Sequence, residues 1–74
     1  MRSRRLYVLV DRRGRPVEAA GPAPFDGETK REAEQEARLT VGPLRIRGWR
    51  LVPLTPRLRR ALRRMAIALG LRSR

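Results

Sequence analysis

Leu6-Tyr7-Val8-Leu9-Val10, running into Asp11-Arg12-Arg13-Gly14, is the stretch on which the fold turns. An unbroken apolar run rich in β-branched and aromatic residues reads as a strand covered on both faces and central in its sheet. Asp opening a turn and Gly three residues later fit a type I turn closed by a left-handed Gly. The return strand is then expected over Arg15 to Ala20. Pro16 offers no amide hydrogen, which places that strand at an edge.

Gly21-Pro22-Ala23-Pro24 can neither continue a strand nor begin a helix and reads as a loop. Thr29-Lys30-Arg31-Glu32 matches a capping box, in which the Thr hydroxyl accepts the Glu amide and the Glu carboxylate reaches back. A helix is expected from there to about Leu39–Val41, ending before Gly42-Pro43. Ala33, Ala37 and Val41 form its thin apolar stripe, and Glu34 and Arg38 sit at the favourable i,i+4 spacing. Pro24-Phe25-Asp26 followed by Thr29, Glu32 and Ala33 resembles the sheet-to-helix joint of integrase arm-type and AP2-like DNA-binding domains. Those have three strands before the helix, whereas here the third strand follows it. The resemblance implies only that local joint, and no site residue is taken from it.

Leu44 to Leu54 reads as the next strand. Leu44 and Ile46 alternate with Arg45 and Arg47, and the phase slips at Gly48, where a β-bulge would restore one buried face. Pro53 ends this strand or leaves it at an edge. Thr55-Pro56 then starts a second helix, with Thr as N-cap and Pro in the first helical position. That helix is expected to reach Leu69, with Gly70 closing it. At about 100° per residue, Leu58, Leu62, Met65 and Leu69 share one side and Arg57, Arg59, Arg60, Arg63 and Arg64 spread over the other.

The order β-β-α-β-α predicts a small α+β domain. A hairpin and a helical crossover give a three-stranded antiparallel sheet in order 2-1-3, with two helices on one face. The 74 residues make a single small basic domain. Residues 1–5 and 71–74 read as flexible tails.

Composition bounds the function. The chain carries 19 Lys+Arg against 7 Asp+Glu, a formal charge of +12, and has no Cys and no His. The usual zinc ligands, any disulfide and the commonest general base are therefore missing. There is no P-loop, no dinucleotide fingerprint and no nucleophile beside a base. An enzyme is not expected, and neither a cofactor nor a metal is implied. No apolar run approaches the roughly 20 residues that span a bilayer. The run after the basic start is also too short for a signal-peptide core, so a cytoplasmic protein is expected.

Charge is unevenly placed. Residues 1–36 hold eight bases and all seven acids, whereas residues 37–74 hold eleven Arg and no acid. Arg outnumbers Lys 18 to 1 in an Ala-, Gly- and Pro-rich chain, as GC-rich codons would give, so the choice of Arg alone says little. The positive excess does not follow from codon bias and points to an anionic partner.

The candidate anion- or nucleic-acid-binding residues are Arg57, Arg59, Arg60, Arg63 and Arg64 on the last helix, with Arg45, Arg47 and Arg50 on the third strand. Three Arg in the first turn oppose the helix dipole unless an anion docks on that turn's free amides. The bland alternative is a solvated face that keeps a small protein soluble. Arg2, Arg4 and Arg5 could form an arm, and Arg12, Arg13 and Arg15 a hairpin tip touching phosphates; a frayed start and a solvated turn are the alternatives. Trp49, between Arg47 and Arg50, is a candidate for base stacking, although a lone Trp more often anchors a core. Tyr7 and Phe25 are expected in the core. The acids at Glu28, Glu32, Glu34 and Glu36 read as a solvated helix face.

Three functional readings follow. The first is a non-catalytic binder of DNA or RNA, held through phosphates by the Arg-rich helix. The second is a protein-interaction module, in the manner of small phage-encoded inhibitors, docking that helix on the acidic groove of a larger machine. The third is a membrane-surface amphipathic helix. A homodimer or membership of a larger complex fits the small core.

Overall fold

The computed structural model describes residues 4–70. Strand β1 (Arg5–Val10) lies between β2 (Phe25–Gly27) and β3 (Arg50–Pro53), antiparallel to both, in sheet order β2-β1-β3. Helix α1 (Lys30–Val41) links β2 to β3, and α2 (Pro56–Ala68) follows β3. The architecture is a small α+β domain around a central first strand.

Side chains alternate across a strand, so an all-apolar β1 must be covered twice. Tyr7 and Leu9 pack with Leu51, Ala33 and Ala37 beneath α1. Val8 and Val10 pack with Leu62, beside Val52, Leu54 and Leu58, beneath α2. The helices therefore lie on opposite faces, not on one. A β1 without a polar side leaves no face for solvent, and that requirement decides where α2 goes. Ala at 33 and 37, both fully buried, lets α1 approach the sheet closely.

The expected return strand over Arg15–Ala20 does not form. Gly14 takes φ 81° as the turn requires, and its N–H donates to the Asp11 carbonyl at 2.9 Å. Beyond the turn come only the Asp11 N–H to the Arg15 carbonyl (2.9 Å), an isolated bridge, Val10 to Pro16, and the Val17 N–H to the Leu9 carbonyl (2.9 Å). The chain then leaves the sheet through a 3₁₀ turn, Glu18–Ala20, and the Gly21–Pro24 loop, and rejoins the same edge lower down as β2. Pro16, Pro22 and Pro24 remove the donors a continuous ladder needs.

The long third strand is also shorter than expected. Residues Arg45–Arg47 form a 3₁₀ turn closed by Gly48 at φ 73°, ψ 21°, so the phase slip is a left-handed turn end and not a bulge. Ile46 is consequently 77% exposed, while Leu44 is buried. Arg45 and Arg47 do not share a strand face. Pro53 sits opposite Tyr7 on the outermost strand, at its last residue.

The helix caps match their sequence signals. Thr29 accepts the Glu32 N–H at 3.2 Å, and Glu32 Oε1 accepts the Glu28 N–H at 2.7 Å. Thr55 accepts the Leu58 N–H at 3.2 Å, and α2 ends at Ala68 before Gly70 at φ 71°. No ion pair joins Glu34 to Arg38 among the described residues. The expected tails at 1–3 and 71–74 lie outside the described residues, but Arg4 and Arg5 are not tail. Arg5 opens β1, and Arg4 Nε donates to Asp26 Oδ2 at 3.0 Å. Among the described residues no helix is long and apolar enough to cross a membrane.

Candidate anion-binding surface

α2 turns Leu58 and Leu62 toward the sheet and leaves Arg57, Arg59, Arg60, Arg63 and Arg64 exposed. Of the apolar stripe, Leu62 is buried and Leu58 and Met65 are half-buried, while Leu69 stays 40% exposed. Helical spacing sorts the Arg into two rows. Arg57, Arg60 and Arg64 fall on the outer side, within about 60° of one another, and Arg59 and Arg63 on one flank. Arg59 and Arg63 border a cleft with Pro22, Ala23 and Pro24. The first-turn trio therefore does not converge on one point.

Nor does the start of α2 offer the row of free amides expected there. Pro56 has no N–H, the Leu58 N–H is taken by the Thr55 hydroxyl, and the Arg59 N–H by the Thr55 carbonyl at 2.8 Å. Only the Arg57 N–H of that turn has no partner among the described residues. An anion at this end must be held chiefly by guanidinium groups.

The hairpin tip supplies what α2 lacks. Arg13, Gly14 and Arg15 face Thr55, Arg57 and Arg64 across a cleft of 440 Å³. The tip is fixed from within. Asp11 Oδ1 accepts the Arg13 N–H at 2.8 Å and the Arg15 N–H at 3.0 Å. Arg15 Nε lies 3.6 Å from Asp11 Oδ2. The Arg15 N–H, opposed by desolvation and aided by the Arg13 N–H and the two Arg charges, holds the Asp11 carboxyl below its ordinary range. Arg13, Arg57 and Arg64 meet no carboxylate in an ion pair among the described residues.

The same tip reaches the other basic group. The Arg12 side chain lies across Gly48, where a Cβ would collide with it. Arg50 Nη1 approaches the Asp11 carbonyl at 3.5 Å. Arg12 and Asp11 thus place the tip beside Arg50, whereas Arg47 reaches back to the end of α1 and Arg45 borders a cleft with Glu34 and Arg38. Sequence reading had no means of ranking the tip above a solvated turn, because its neighbours are distant in the chain.

Trp49 is half-buried and packs against the α1-side core, as do Phe25 and, fully buried, Tyr7. The Arg47 guanidinium sits over the Trp49 ring, 4.9 Å from its centroid, and Arg47 Nη1 donates to the Val41 carbonyl at 3.2 Å. One face of the ring is therefore occupied by a cation. Of the helix acids, Glu32 is engaged as a cap.

Fold and site together define a small basic α+β domain whose guanidinium groups gather around a hairpin tip and one helix. Compared with known proteins, the chain matches no family model, and neither a curated protein nor a solved structure is significantly similar to it.

Proposed function

We propose that this domain binds nucleic acid, without catalysis, through phosphate contacts made by the Arg row of α2. Arg57, Arg60 and Arg64 form the centre. Arg59 and Arg63 flank it, Arg50 extends it beside the hairpin tip, and Arg45 and Arg47 add a further basic group toward α1. One observation carries the reading: α2 packs Leu58 and Leu62 into the core and still presents five exposed Arg that meet no acidic side chain in an ion pair among the described residues. Crowded like charges raise the energy of a small fold, and a polyanion lowers it. Backbone contacts of this kind bind strongly at low salt and read sequence weakly.

The test is fluorescence anisotropy with labelled duplex DNA, duplex RNA and single strands over a salt series. Micromolar binding with a steep fall of log K against log salt supports the reading, and the best ligand names the nucleic acid. Absence of binding at low salt removes it.

A second reading rests on Ile67, which is 61% exposed beside the Arg row. An isoleucine gains little from phosphates but can anchor in a pocket of a protein surface. On this reading α2 docks on an acidic groove of a larger protein. A complex that survives nuclease treatment and is broken by Ile67→Asp favours it.

A further inference from the structure

The Arg-lined cleft does not end at the hairpin tip. Arg15, Pro16, Ala61 and Arg64 also line a second, adjoining cleft of 720 Å³. The two form one groove between residues 11–19 and α2. Its ends differ in chemistry. At one end stand Arg13, Arg15, Arg57 and Arg64, with Asp11 the neighbouring acid. At the other, Val17, Ala19, Met65 and Ala68 surround Trp49, with the Glu18 carboxylate at the margin.

We infer that this groove binds a nucleoside polyphosphate, with its phosphoryl chain among the four Arg and its base at the Trp49–Met65 end. Charge supports the phosphate end. Four guanidinium groups against one carboxylate match two or three linked phosphoryl groups better than a single diester. The lining supports the base end, since Trp49 with Met65 and Ala68 suits a flat heterocycle and offers little to a bare oxyanion. The Glu18 carboxylate, exposed and able to accept, suits a sugar hydroxyl or a base amino group. Each cleft falls within the several hundred Å³ usual for small-ligand sites. The 5′-terminal nucleotide of a phosphorylated strand presents the same chemistry. The groove shares Arg57 and Arg64 with the α2 row but differs from it in using Arg13 and Trp49 and in leaving out Arg60.

Trp49 is the only Trp in the chain and gives a direct readout. The experiment titrates the full chain with ADP and GDP, and separately with inorganic pyrophosphate, at constant ionic strength. Affinity is read by calorimetry and base contact by Trp49 emission. The expected result is saturable binding of all three, one per chain, with an emission change for the nucleotides only. Arg13→Gln and Arg64→Gln should each weaken binding by about tenfold, the cost of one charge-assisted contact. Arg31→Gln, on α1 across the sheet, should not. Unchanged far-ultraviolet dichroism shows that the exposed substitutions leave the fold intact. A 5′-triphosphorylated strand binding tighter than its 5′-hydroxyl twin assigns the ligand to a strand end, and equal binding of the two assigns it to free nucleotide. No saturable nucleotide binding, nucleotides that leave Trp49 emission unchanged, or equal losses in all three variants overturns the inference. Nucleic-acid binding that survives Arg13→Gln but falls with Arg60→Gln separates failure here from failure of the α2 row.

Discussion

Asp11 Oδ1 accepts the Arg13 backbone N–H at 2.8 Å, and this bond sets where the hairpin tip presents its cations. The carboxylate also holds the Arg15 N–H at 3.0 Å. Its folded pKa lies below the ordinary 3.8, chiefly through the Arg15 N–H. A depressed carboxyl pKa gives stability that is present above the unfolded value and lost as pH falls through the folded one. Thermal unfolding followed from pH 7 downward should therefore lose stability below pH 3.8. Asp11→Asn, which keeps an acceptor but cannot titrate, should show a shallower acid limb. An identical acid limb in the variant contradicts this account of the turn.

The two-faced sheet makes a sharper demand. Val8 and Leu9 are each 2% exposed but point to opposite helices. Val8→Ala and Leu9→Ala should both cost about 2–4 kcal/mol in denaturant unfolding. A sheet covered on one side only would tolerate one of them.

Gly27 joins β2 to α1 without room for a side chain. A Cβ there would lie 2.9 Å from the Thr29 carbonyl oxygen and 3.1 Å from the Ala33 nitrogen, both backbone atoms that cannot swing aside. Gly27→Ala should destabilise by about 1–3 kcal/mol, the usual cost of overpacking. Gly14, whose Cβ would meet nothing, should lose less on the same substitution despite its positive φ. Equal costs at the two sites contradict the steric account.

The pattern of what the chain disclosed follows from the range of the forces involved. Caps at Thr29 and Thr55, the Asp11–Gly14 turn and the centrality of β1 depend on residues within a few positions, and the sequence states them directly. The placement of α2 was also legible, in that an apolar residue at every position of β1 requires two covers. A simple crossover picture gave the opposite answer. The second strand was lost because three prolines made two short pairings better than one long strand. The third was shortened because Gly48 can enter left-handed space, where alternation of Arg and apolar residues carries no weight. The Arg of α2 were readable as an amphipathic pattern. Their partnership with Arg13 and Arg15 was not, because it depends on how a turn and a helix meet across the sheet.

Arg47 over Trp49 has a modest expected effect. Arg47→Ala should lower stability by about 0.5–1 kcal/mol, as an exposed cation–π pair contributes, and shift Trp49 emission. No change in emission contradicts the stacking.

The central claim is that the outer row of α2 meets phosphates. The most direct measurement is the slope of log K against log salt for the best nucleic-acid ligand, wild type beside Arg57→Ala/Arg60→Ala/Arg64→Ala. Each lost phosphate contact removes about 0.9 from the slope on duplex DNA. The account expects the triple variant to be flatter by about two to three such contacts, with its melting temperature unchanged or raised by relief of charge crowding. A triple variant that binds with the wild-type slope and affinity contradicts it.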